Sequence, residues 1–138
     1  MYNRAFKREY SYKVIVLFLL LLITSCEEIL FEEDITEETI TVLAPADNSV
    51  LNQSPSSFSW NSVQGVNQYE VQLVSPDFDN AGTLVLDTVV TQPVNSLVRF
   101  DSPSNLAPGS YQWRVTGYNN NYNTRATVSS FEIGSNVN

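Results

Sequence analysis

The hydrophobic pattern of this 138-residue chain changes character twice. Val14 to Ile23 is an unbroken apolar run, and residues 27–38 are dominated by acids. From Thr39 onward, apolar residues come in short alternating runs, punctuated every 8–15 residues by Ser, Asn, Gly and Pro. No long stretch there keeps the i, i+3, i+4, i+7 spacing of an amphipathic helix, whereas alternation between turn signals predicts half-buried strands. Thr39–Ala44 forms a first strand, with Ile40 and Val42 on one face, and Pro45–Ser49 turns it. Phe58 and Trp60 lie two residues apart and so share a face. Tyr69, Val71 and Leu73 alternate with Glu70 and Gln72. Further strands follow at Thr83–Val90, Ser96–Asp101, Tyr111–Val115 and Thr124–Ile133. In the last two, Tyr111, Trp113 and Val115 face one way, as do Phe131 and Ile133. Seven strands in about 95 residues predict an all-β, antiparallel sandwich.

Several residues fit a narrower pattern. Trp60 falls on the second strand, Tyr69 on the third, Leu106 at a corner, and Tyr111 at the start of the sixth strand. The stretch Leu-Ala-Pro-Gly-Ser-Tyr-Gln-Trp-Arg-Val over 106–115 is the most specific. On these landmarks the region from Ile40 to Ile133 resembles the fibronectin type III domain and its bacterial immunoglobulin-like relatives. The resemblance implies that Trp60, Tyr69 and Leu106 are core residues, with Trp113 inward beside them. It also implies that Tyr111 forms a tyrosine corner, its hydroxyl bonded to nearby backbone. The corner is one residue shorter than the usual animal pattern, which leaves open the carbonyl it meets.

The apolar run at 14–23 is too short to cross a hydrocarbon core, which takes about 20 residues. Preceded by Arg4, Lys7, Arg8 and Lys13, it fits the apolar region of a secretory signal. It closes on Ile23-Thr24-Ser25-Cys26, which resembles the lipobox of bacterial lipoproteins. The resemblance implies cleavage before Cys26 and acylation of its sulfur, as with palmitate. An ordinary signal peptide with a chance cysteine is the plainer alternative. Each buried methylene adds about 0.8 kcal/mol, so several acyl chains would anchor the protein almost permanently. The expected organisation is a signal peptide over 1–25, a lipidated cysteine and acidic linker over 26–38, and the sandwich over 39–138.

Charge and composition narrow the chemistry. Beyond Cys26 the chain carries fourteen acids against Arg99, Arg114 and Arg125, a net charge of −11. Nucleic acid and anionic lipid both require clustered Lys or Arg, so binding to either surface is excluded. Histidine is absent and Cys26 is the single cysteine. That leaves no imidazole base, no Cys–His nucleophile and no usual zinc set. It also leaves no intramolecular disulfide, so the fold must rest on packing. Seven acids between Glu27 and Glu38 repel one another and are expected to keep the linker extended, over up to roughly 40 Å. Acids directly behind the cysteine also resemble the surface-export signal of some Gram-negative lipoproteins, with a plain solvated tether as the alternative.

Three features invite a functional reading. Tyr118, Asn119, Asn120, Asn121, Tyr122 and Asn123 form a polar loop whose aromatic faces and amides suit protein or glycan recognition. Asn-rich segments also make good turns with no ligand at all. Asp77-Phe78-Asp79-Asn80 could offer some oxygens to calcium, but nothing supplies the rest of a six- to eight-oxygen set, and an Asx turn with Phe78 in the core is the better account. Asp87-Thr88-Val89 resembles a short bacterial O-glycosylation motif, with Thr88 as acceptor. With no phosphate loop or nucleophile elbow, no enzymatic activity, cofactor or metal is expected. The chain reads as an envelope lipoprotein, attached to the membrane through Cys26 and placed at the outer membrane, either on its surface or in the periplasm. Its domain would bind or space, with an envelope protein or a polysaccharide as partner. A structural accessory subunit, within a glycan-uptake or other envelope complex, is the alternative.

Overall fold

The computed structural model describes residues 13–14, 31–80, 82–91, 97–103 and 105–135. Cys26 and nearly all of the expected signal segment lie outside these residues. Among the described residues no helix is long and apolar enough to cross a membrane. The chain divides into two compact units, the second beginning at Glu32.

The described residues of this second unit form eight strands: β1 (Val42–Ala44), β2 (Ser49–Leu51), β3 (Ser57–Asn61), β4 (Gln68–Ser75), β5 (Thr83–Thr91), β6 (Leu97–Asp101), β7 (Gly109–Tyr118) and β8 (Thr127–Ile133). They form two sheets, β1-β3-β6 and β2-β8-β7-β4-β5, and the predicted sandwich is thereby observed. Two features differ from expectation. There are eight strands rather than seven, and β2 runs parallel to β8, with Ser49 opposite Phe131 and Leu51 opposite Ile133. Pro45 has no N–H for the ladder, so β1 ends there and the chain crosses to the other sheet. Three residues directly after a turn are too few to display an alternating pattern, and β2 was therefore hidden in the sequence.

The alternating faces meet in a single core. Trp60, Phe58, Tyr69, Val71, Leu73, Val98, Trp113 and Val115 are fully buried, and Leu106 packs partly buried against them. Trp60 meets Tyr69 edge-on at 5.4 Å between centroids, and Phe58 meets Trp113 edge-on at 5.1 Å. Tyr111 stacks on Phe131 at 5.3 Å. Such aromatic pairs contribute beyond their buried area, each by about 0.5–1.5 kcal/mol. Two tyrosine hydroxyls reach the edges of this core. The Val63 N–H donates to Tyr69 Oη at 2.8 Å, holding the β3–β4 loop. Tyr111 Oη donates to the Ala107 carbonyl at 2.8 Å, closing the corner before β7.

The domain begins earlier than the expected boundary at Thr39. Ile35 is fully buried in the core cluster, and Glu32–Glu38, here called the strap, lies on the domain. The Glu38 N–H donates to the Ile35 carbonyl at 3.1 Å, and the Arg125 N–H donates to the Glu38 carbonyl at 3.2 Å. Arg125 also pairs with Glu37. Charge repulsion favours an extended segment, but one buried isoleucine and these bonds outweigh it, because burying such a side chain is worth about 1.5–3 kcal/mol. The acids from Glu32 to Glu38 therefore belong to the domain and not to an extended linker.

Candidate functional site

The loop at 118–123 joins β7 to β8, and a bridge between Tyr118 and Asn123 closes its base. Asn119 Oδ1 accepts from the N–H groups of Asn121 and Tyr122, at 3.2 and 2.8 Å, and the Asn119 N–H donates to the Tyr122 carbonyl at 3.0 Å. The Asn side chain thereby imitates backbone and builds a tight turn. Its amide nitrogen faces the strap, donating to the Glu33 carbonyl at 2.8 Å and to the Gly65 carbonyl at 3.1 Å. Asn120 donates to Glu32 Oε1 from both its backbone N–H and its side-chain amide, each at 3.0 Å. Asn123 donates to the Thr124 carbonyl at 3.3 Å. Tyr118 lies half-buried with its hydroxyl donating to Glu70 Oε2 at 3.0 Å. Burial, followed by the neighbouring Glu70 carboxylate, holds the Tyr118 pKa above the ordinary 10.0. Much of the hydrogen-bonding capacity expected to serve a ligand is therefore engaged within the domain. Tyr122 is the loop aromatic most open to solvent.

The strap fits closely against this end. Gly65 has φ +77°, and a Cβ there would come within 2.9 Å of Glu33 Oε2 and 3.1 Å of Ile35 Cγ2. Glycine allows both the backbone conformation and the approach. Gln64 and Asn67 reach Glu33 and Glu32 at the limit of bonding distance, 3.5 Å each. These pairings join residues more than thirty or eighty positions apart, and no local signal announces them.

At the opposite end, Asp77 Oδ1 accepts from the N–H groups of Asp79 and Asn80, at 3.0 and 2.8 Å, which makes the expected Asx turn. The Asn80 amide binds both carboxylate oxygens at 3.0 Å. These bonds hold the Asp77 carboxyl below the ordinary 3.8. Phe78, expected in the core, lies instead under the Arg114 guanidinium at 4.5 Å, on the outer face of the five-stranded sheet. Its N–H donates to Gln112 Oε1 at 3.2 Å. A cation over the ring supplies an attraction outside the core, and Gln72, which accepts from Arg114 Nε at 3.1 Å, orients that cation. Among the described residues no group of three His, Cys, Asp or Glu side chains could hold a metal ion.

Two open grooves were not foreseen. The first, about 380 Å³, lies between loop 76–77 and the β2, β7 and β8 strands, lined by Asn48, Asp77, Ser110, Gln112, Ser130 and Glu132 among others. The second, about 630 Å³, lies along Ala44–Pro45 and residues 50–57. Both depend on which strands become neighbours. Thr88 lies half-buried on β5, on the side where Leu86 and Val90 pack toward the core. On the other side of β5, Leu84 and Val89 are exposed, and Asp87 accepts from Gln72 Nε2 at 3.2 Å.

No family model and no curated relative matches this sequence. Solved structures do. The crystal structure of CopC from Methylosinus trichosporium OB3b aligns over 72% of this chain and 98% of its own, with TM-score 0.54 and 17% identity. A chitinase from Paenibacillus sp. str. FPU-7, ChiW, described as a cell-surface-expressed multi-modular enzyme machinery, aligns with TM-score 0.52 and 17% identity. That match covers 75% of this chain and 9% of the chitinase. The fold is an immunoglobulin-like β-sandwich. Identity at this level establishes architecture alone, because one sandwich hosts many unrelated functions.

Proposed function

We propose that this protein is a lipid-anchored component of the bacterial cell envelope whose fibronectin type III-like domain acts as a non-enzymatic binding or spacer module. The observation that carries the reading is the order along the chain: an Ile-Thr-Ser-Cys box behind a basic, apolar leader, then a compact sandwich starting six residues after Cys26. The Tyr111–Ala107 bond supports the fibronectin-type assignment. The outer membrane is the proposed site, and a surface protein or a polysaccharide the proposed partner. Cys26→Ser is expected to move the protein from membranes to the soluble fraction and to abolish palmitate labelling; retention in membranes contradicts the anchor. Protease treatment of intact cells separates surface display, where the domain is degraded, from a periplasmic location, where it is spared.

One observation favours a second reading, an accessory subunit of an envelope complex with no ligand of its own. β5 is an edge strand of nine residues carrying exposed Leu84, Val85 and Val89. Apolar edges of that kind are normally covered or charged in monomers. Leu84→Lys with Val89→Lys is expected to release envelope proteins from a cross-linked complex if this reading holds. Indifference to those changes leaves the binding-module reading.

A further inference from the structure

Resting on the lipid-anchor reading, we propose that the strap fixes the orientation of the domain at the membrane. The Asn-rich loop faces the bilayer, and the grooved end is presented outward to partners.

The inference follows from strand direction and chain length. β7 ends at Tyr118, β4 begins at Gln68 and β3 ends at Asn61, so the β3–β4 and β7–β8 loops share one end of the sandwich. The strap is seated on that end through Ile35, Gly65, Asn119 and Asn120. Glu32 lies six residues beyond Cys26, a span that cannot exceed roughly 20 Å even when fully extended. The strand β7, ten residues long, carries the opposite end roughly 30 Å further away. Had all of 27–38 been free, the tether would reach about twice as far and the domain could tumble. Seated, it leaves a short leash attached at one end.

The grooves agree with this orientation. The first is lined by the start of β7 and the end of β8, the second by the segment leading into β3, so both open toward the end far from the strap.

Lipidation would occupy the single native thiol, so one introduced cysteine can be labelled uniquely. Full-length protein bearing Asn121→Cys or Asp79→Cys is purified from membranes, labelled with a fluorophore and placed in vesicles containing an acceptor-labelled headgroup lipid. Energy transfer from position 121 is expected to exceed that from position 79 several-fold. Ile35→Ser, which frees the strap, is expected to bring the two signals together, with a thermal melt confirming that the sandwich stays folded. Equal or reversed transfer in the otherwise native strap overturns the orientation, as does a difference that persists unchanged in folded Ile35→Ser. Protein found only in the soluble fraction defeats the anchor reading itself, and the orientation with it.

Discussion

At one end of the sandwich, Asn119 and Asn120 bond to the strap and to Gly65. At the other, the turn at Asp77 bonds to itself, and Phe78 rests on Arg114 beside an open groove. Both ends are made of turn-forming amides, carboxylates and aromatics, and each has a core tyrosine bonded to loop backbone. The difference lies in the partner. The strap end receives a segment of the chain from far away in sequence, which engages its polar groups. The far end receives none of the strap and keeps concave polar surface. A loop rich in Tyr and Asn is therefore not by itself the more available surface. What decides availability is whether another part of the chain occupies it.

The comparison assumes a shared core, and the largest effect tests that assumption. Trp60→Ala removes an indole in contact with Tyr69 and Trp113, and is expected to cost about 3–5 kcal/mol. Set against a total of roughly 5–15 kcal/mol, it should leave the domain largely unfolded in a thermal melt. A melt near wild type contradicts the packing described. Next in size is Ile35→Ala, a buried truncation expected to cost about 2–5 kcal/mol. Hydrogen exchange should then quicken at Asn120 and Tyr122 while amides around Asp77 stay protected. Equal loosening of both ends would show that the strap is not specific to one of them.

Smaller effects compare the two tyrosines. Tyr69→Phe removes the acceptor of the Val63 N–H, and Tyr111→Phe removes the donor to the Ala107 carbonyl, bonds worth about 0.5–1.5 kcal/mol each. Tyr69→Phe is expected to be the larger in chemical denaturation, because its ring is fully buried, whereas the Ala107 carbonyl belongs to an exposed residue to which water has access. Alkali should act in the same direction. Burial raises the Tyr69 and Tyr118 pKa values above 10.0. The folded state therefore holds those protons more tightly than the unfolded chain. Their contribution is complete below pH 10 and is lost as pH rises through the folded values, with the strap end affected first. Acid treats the ends alike: hydrogen bonds from Thr36 and from Asn80 lower the carboxyls of Asp34 and Asp77. That support is present above the ordinary 3.8 and is lost as pH falls through the lowered folded values. Local exchange measured at acid pH should show both turns loosening together. The smallest effect is expected from Arg125→Ala: its pair with Glu37 is well exposed, so about 0.2–1 kcal/mol should be lost, and less in high salt.

Legibility followed range. Alternation at 69–73, 111–115 and 131–133 exposed the buried faces, since one-sided burial writes a period of two into the strand itself. The sequence 106–115 announced a tyrosine corner, and packing selected the Ala107 carbonyl from the bonds left open. Phe78 leaves the core because Arg114, which no local pattern ties to it, lies over its ring. β2 is not legible in the sequence because three residues carry too little pattern.

The chain's own order of residues determined that there would be strands, which of their faces turn inward, and that a basic, apolar segment and Cys26 precede them. Each of these rests on neighbours a few positions apart. Only the tertiary structure decided that the acids of the strap would lie on the β7–β8 loop, that β2 would change sheets, and that the grooves would open at the far end. Those outcomes join residues such as Glu32 and Asn120, 88 positions apart. Such pairs form only when the sheets pack, because the entropy of closing so long a loop is repaid by the core as a whole rather than by the pair.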